Sequence, residues 1–137
     1  MDKRMVVIVK GIILHNNRVL ILRRSDEDRI NPGKWEFVGG KINFNECLED
    51  ALKREVREET SIDIEVGDIL YATNYKTSSD RNDVVIVYKC KAIDDHVRLS
   101  KEHTDYKWVT EDELKKFIYK ELLDDLKRYN ALPKIFA

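Results

Sequence analysis

The stretch GGKINFNECLEDALKREVREETSI, residues 39–62, decides how this chain folds. A Gly39-Gly40 break and a short polar loop give way to a pattern that no Gly or Pro interrupts from Cys47 to Thr60, with Glu49 and Asp50 where acids suit a helix dipole. At about 100° per residue, Leu48, Ala51, Leu52 and Val56 share the buried side of that helix, and Asp50, Lys53 and Arg57 lie opposite. The same rotation carries Glu55 and Glu59 into the apolar stripe and Glu58 to its edge. Ionised carboxylates side by side in such a place cost desolvation and repulsion unless a cation joins them or their pKa values rise. Oxygen ligands at i, i+3 and i+4 suit a hard cation such as Mg²⁺ or Mn²⁺, which keeps several waters and accepts phosphate oxygens. The competing interpretation is of solvated charges paired with Arg54 or Arg57 at a cleft rim. Gly39-Gly40-Lys41, just ahead, lets the main chain approach a ligand closely.

Outward from the helix, strand patterns dominate. Met5 to Leu14 is rich in Val and Ile, His15-Asn16-Asn17 is turn-like, and Arg18 to Leu22 alternates again, which predicts an antiparallel hairpin. Ser25 to Lys34, with Asn31-Pro32-Gly33, is a loop leading to the short apolar segment Trp35 to Val38. After the helix come strand-like runs at Ile62 to Val66, Ile69 to Tyr75 and Val84 to Cys90, with a turn at Thr77 to Asp80, and Tyr106 to Val109 is a further candidate. Thr110 and Glu113 form a capping-box pattern for a short helix, and Leu122 to Tyr129 predicts another. No repeat or linker breaks the chain, so one α/β domain of the α+β type over residues 1–137 is expected, a mixed, largely antiparallel sheet sandwiched between helices.

Composition narrows the function. The formal net charge of -1 argues against an extended nucleic-acid-binding face, which needs clustered Lys and Arg, so an anionic substrate must be neutralised locally. Cys47 and Cys90 have no CxxC spacing and are expected to be small core residues; the opening MDKRMVVIVK is no secretory signal, which points to a cytoplasmic location away from membranes. Strand edges and the apolar Ile118, Leu122 and Leu123 are features that could support a homodimer.

Gly40, five residues, Glu46, seven residues and then Arg54-Glu55-Val56-Arg57-Glu58-Glu59-Thr60-Ser61-Ile62 resembles the box of the Nudix (MutT-like) hydrolases. One defined position departs: Ser61 stands where the pattern has Gly, at a helix C-cap that favours a left-handed residue. The resemblance extends to Trp35-Glu36-Phe37-Val38-Gly39-Gly40-Lys41, where Val38 and, further on, Asn45 replace the family's usual Pro and Gly. It also takes in Glu102-His103-Thr104-Asp105-Tyr106-Lys107-Trp108-Val109. It implies the Nudix fold, with Glu55, Glu58, Glu59 and the main-chain carbonyl of Gly39 binding Mg²⁺ or Mn²⁺. Arg54 would orient a neighbouring glutamate, and Glu46 would fix Arg54 or hold the loop against the helix. The reaction implied is attack of water on a phosphorus of a diphosphate, with the metal neutralising the bridging oxygens. Either Glu102 or His103 would be the general base, and Arg23, Arg24 and Lys41 are placed to meet substrate phosphates.

The box does not choose a substrate. Thr77 to Asp80 contains neither the Pro of ADP-ribose hydrolases nor the Tyr of dinucleoside polyphosphate hydrolases. Leu123-Asp124 falls about where relatives acting on oxidised guanine nucleotides keep a base-reading Asn. A nucleoside or deoxynucleoside triphosphate, or a modified nucleotide, cleaved to monophosphate and pyrophosphate is therefore expected. The alternatives are a GDP-mannose-like nucleotide sugar and a nucleotide-sensing module without turnover.

Overall fold

Asn16 and Asn17 both take left-handed backbone, φ 51° and 59°, and so close the tight turn between β1 (Arg4–His15) and β2 (Arg18–Arg24). Two consecutive positive φ angles match the twist of a two-residue hairpin, and Asn tolerates them better than most side chains. The computed structural model describes residues 2–136, and the two ends of the expected 1–137 domain lie outside them. β3 (Trp35–Glu36) and β4 (Val38–Lys41) follow the loop, then α1 (Leu48–Thr60), β5 (Ile64–Ser78), β6 (Arg81–Ala92) and β7 (His103–Val109). The chain ends in α2 (Glu111–Phe117), α3 (Lys120–Arg128) and α4 (Leu132–Ile135).

The strands form one mixed sheet in the order β3-β2-β1-β6-β5, with β4 also paired to β1 and β7 to β2. Among the described strands β1 and β6 pair in parallel, and the other strand pairs are antiparallel. Two apolar layers cover its faces. Ala51, Leu52 and Val56 of α1 pack with Val9, Ile13, Leu20 and Leu22. Leu114, Leu126 and Ile135 of the last helices pack with Ile12, Val19, Ile21 and Val87. The sheet is thus sandwiched between helices, as its alternating strands require.

Several boundaries differ from expectation. The runs expected at Ile62 to Val66 and Ile69 to Tyr75 merge, from Ile64 onward, into one strand, β5, whose register shifts between Val66 and Ile69 where Gly67-Asp68 bulges out of the ladder. β7 begins at His103 instead of Tyr106, and the terminal turn α4 was not anticipated. The Thr110–Glu113 capping box forms. Cys90 is buried, but Cys47 is exposed at the N-cap of α1 and not in the core. Ile118 is buried, and Leu122 and Leu123 pack against the same core, so these residues are largely used within the chain. No helix among the described residues is long and apolar enough to cross a membrane.

Candidate active site

Helix α1 delivers its three glutamates to graded depths. Glu59 is buried at 4% exposure beside Ala51, Leu52 and Val56. The Glu55 side chain is half-buried and that of Glu58 is 59% exposed, so the edge position read from the helical rotation is a solvent-facing rim. All three border a cleft of about 240 Å³, together with Ser100, Lys101 and Glu102. A larger hollow of about 730 Å³, bordered by Leu14, His15, Val66, Lys91 and Ile93, holds no such cluster, and size alone does not make it the site.

The glycine pair fits against these carboxylates. Gly39, at φ 148°, would put a Cβ 2.0 Å from the Val9 carbonyl oxygen, and Gly40 would put one 2.5 Å from a Glu55 carboxylate oxygen. Only residues without a Cβ let β4 lie this close to both β1 and α1. The Gly39 amide donates to Glu59 Oε1 at 3.3 Å.

Arg54 clamps the outer carboxylates. Its guanidinium grips both oxygens of Glu46 at 2.7 and 3.0 Å and reaches Glu55 at 2.9 Å, Glu58 at 3.4 Å and the Lys41 carbonyl at 3.0 Å. Glu46 also accepts from the Asn43 amide at 2.9 Å, so it both fixes Arg54 and ties the loop to the helix. The Arg54 hydrogen bonds, with that of Asn43, hold the Glu46 carboxyl down at about 2.

Deeper in, a second network was not foreseen from sequence. Glu36 of β3 is buried, with Arg24 and the His103 ring each 2.9 Å from its Oε2 and Lys10 Nζ 3.6 Å from its Oε1. Burial alone would push this carboxyl up, but Lys10, the His103 hydrogen bond and Arg24 outweigh it and hold the group at about 2. Glu59 shows the opposite balance: burial pushes it up to about 7, against the pull of Lys10 and His103. A lone Lys in the apolar run VVIVKGIIL and a lone Glu in WEFV were the available signals. Strand alternation cannot tell a buried, paired charge from one facing solvent.

The remaining expected residues separate. Glu102 is exposed on the cleft, whereas His103 is buried, with Nδ1 unpartnered. Ligand atoms of Glu59, Glu102 and His103 lie within 4.8 Å of one another. Arg24 is engaged by Glu36, by Asp28 at 3.0 Å and by the Ile30 carbonyl at 2.8 Å. Arg23 pairs with Asp26 at 2.8 Å and Thr104 at 3.0 Å, while the Lys41 residue is exposed. Asp124 is exposed, and it is Asp125 that turns inward to accept from the Tyr75 hydroxyl, near the stacked rings of Tyr71 and Tyr129. The carboxylate oxygens of Glu55, Glu58, Glu59 and Glu102 on one cleft, with the Glu59 carboxyl raised by burial, fit a hard divalent cation.

Known proteins resemble this chain along most of its length. The profile of the NUDIX domain matches residues 5–131. A MutT-like protein of Streptomyces ambofaciens is 35% identical over 109 residues, which cover 79% of this chain and 66% of that protein. The nucleoside triphosphatase NudI of Escherichia coli is 27% identical over 121 residues, 81% of this chain and 86% of the relative. Among solved structures, the MutT protein of Methanosarcina mazei Go1 superposes with a TM-score of 0.82 at 32% identity, covering 95% of this chain and 96% of its own.

Proposed function

Since the chain belongs to the Nudix hydrolases, enzymes acting on pyrophosphate bonds, we propose that it hydrolyses a nucleoside or deoxynucleoside triphosphate to the monophosphate and pyrophosphate with the aid of Mg²⁺ or Mn²⁺. The observation that carries this is the buried Glu59 beside Glu55, Glu58 and Glu102 on one cleft. Support for the triphosphate comes from the likeness to the nucleoside triphosphatase NudI, which extends over most of both chains.

Glu55, Glu58 and Glu59 would hold the metal, which when bound neutralises phosphate charge and eases ionisation of water. Arg54 keeps Glu55 and Glu58 oriented through its hydrogen bonds, and Glu46 keeps Arg54 in place. Glu102 is the general base of this scheme: its carboxylate is exposed on the cleft, where it can take a proton from the attacking water. His103 is a positioning residue, fixed by Glu36, with a ring nitrogen within 4.8 Å of a Glu102 carboxylate oxygen. Lys41, whose residue is exposed next to the glycine pair, is available to the polyphosphate. Arg23 and Arg24 would meet phosphate only by sharing or exchanging their present carboxylate partners.

A panel of nucleoside triphosphates, deoxynucleoside triphosphates and nucleotide sugars, each with Mg²⁺ or Mn²⁺, tests the proposal by reading pyrophosphate and phosphate separately. Monophosphate and pyrophosphate in equal amounts is the expected result. Turnover of nucleotide sugars alone, or of none of the panel, overturns it.

A further inference from the structure

Lys10 is the one charged residue in the apolar stretch from Met5 to Leu14. On β1 it stands directly opposite Gly39 of β4. Its ammonium donates to the carbonyls of Gly39 at 3.2 Å and Phe37 at 3.4 Å and lies 3.6 Å from Glu36 Oε1. Two hydrogen bonds and one ion pair thus surround the ammonium with three oxygens, the kind of shell that a hard cation takes. The Gly39 carbonyl is the same oxygen that the family resemblance gives to the divalent ion, and the Gly39 amide is bonded to Glu59. Two cations drawn to one oxygen in a partly desolvated site repel each other strongly.

We propose that Lys10 is a resident cation of this site, whose ammonium competes with the divalent ion for the Gly39 carbonyl and so weakens metal binding by the free protein. This rests on the metal site proposed above. Lys10 holds the Gly39 carbonyl and Glu59 holds the Gly39 amide, so the two side chains meet at one residue of β4. Lys10 also belongs to the shell that keeps Glu36 ionised, which gives the chain a reason to hold a charge here despite its cost to the metal. Nucleotide binding, which brings further anionic oxygens, would relieve the competition.

The test is Mn²⁺ binding to the full chain without nucleotide, followed by the electron paramagnetic resonance of free Mn²⁺ at a pH well above 7. Lys10→Met should bind Mn²⁺ about tenfold more tightly than wild type, the scale expected for removing one nearby charge at an effective protein dielectric. Lys10→Arg keeps the charge and should stay within about threefold of wild type. Glu58→Gln, run in parallel, should weaken binding and so identifies the ion measured with this cleft. A folded Lys10→Met protein that binds Mn²⁺ no more tightly overturns the inference about Lys10 alone. Wild-type protein that binds no Mn²⁺, with Lys10→Met equally inert, removes the metal site itself. Should Lys10→Met fail to fold, Lys10→Gln takes its place with the same expected direction. Independently of any variant, Mg²⁺ titrated into wild-type protein labelled with ¹⁵N-lysine should shift the Lys10 ammonium resonance, and an unmoved resonance at saturation counts against the competition.

Discussion

The His103 ring nitrogen Nε2 lies 2.9 Å from Glu36 Oε2 although 67 residues separate the two in the chain. This contact fastens β7 to β3 across β2, and Arg24 and Lys10 join the same carboxylate from β2 and β1. Four strands are therefore tied by one buried anion beneath the cleft that holds Glu102. Losing any partner leaves the others with an uncompensated charge in a desolvated place.

Glu36 should govern the acid limb of stability. Its folded carboxyl stands at about 2 against an ordinary 4.5. A depressed carboxylate contributes its full stabilisation above the unfolded value and loses it as pH falls through the folded one, so the loss occupies the window from about 4.5 down to about 2. The shift corresponds to on the order of 3 kcal/mol. Urea denaturation of Glu36→Gln across this window should show a flatter acid limb and lower stability at neutral pH. An acid limb as steep as that of wild type would contradict the assignment.

Glu59 carries the opposite sign. Its folded value, about 7, lies above the ordinary 4.5, so the folded state holds the proton more tightly. In chelator-treated protein, stability should decline as pH rises from about 4.5 to about 7 and the Glu59 contribution should level off above that. Mg²⁺ should offset the decline by favouring the ionised form, and Glu59→Gln should remove it. Thermal melts at several pH values, with and without Mg²⁺, check both outcomes.

The two candidate bases differ in placement. Glu102→Gln should lower kcat by roughly a hundred- to ten-thousand-fold, the usual worth of a positioned general base, with little effect on melting temperature. His103→Ala should lower kcat by less, about tenfold, and destabilise the fold because it strips a partner from buried Glu36. Steady-state pyrophosphate release on both variants decides; a larger loss for His103→Ala in folded protein would reverse the roles.

Neighbouring glycines should respond differently. Gly39→Ala places a methyl against the main chain of β1 at a positive φ and should cost about 3 kcal/mol or more, with loss of folded yield. Gly40→Ala meets only the end of the Glu55 side chain, which can move. That variant should melt within a few degrees of wild type yet bind Mn²⁺ several-fold more weakly. Equal melting temperatures for the two variants would refute the distinction.

Ser61 occupies the left-handed C-cap of α1, with φ 65° and ψ 10°. The cap geometry is thus kept without the family's glycine, at the steric cost of a Cβ. Ser61→Gly should raise stability by about 0.5–1 kcal/mol, after loss of the weak 3.3 Å hydrogen bond to the Arg98 carbonyl. Chemical denaturation midpoints measure it directly.

The features legible in the sequence were those set by short-range geometry. Helical rotation placed Glu59 among apolar neighbours, the Asn16-Asn17 turn fixed the first hairpin, and Thr110 with Glu113 announced a cap. Asn45, like Ser61, keeps a left-handed backbone, φ 67°, where the family usually has glycine, so the loop shape survives the substitution. Lys10 and Glu36 were not legible because each becomes meaningful only opposite strands that are distant in the chain. The single β5 was divided in sequence because Gly67-Asp68 has the chemistry of a turn, and only pairing with β6 shows it to be a bulge.

The pairing of β2 with β7, which sets Arg24 opposite His103, joins segments that are far apart in the chain. The β5–β6 hairpin closes locally and can fold as it emerges, whereas β2 must wait for its second neighbour until the chain has been translated through Val109. A ribosome-bound chain that ends after β6 already carries the helix glutamates but lacks the strand that brings Glu102 and His103 to them. Bringing Glu102 and His103 to the helix glutamates is therefore a late step of vectorial folding compared with closure of the β5–β6 hairpin.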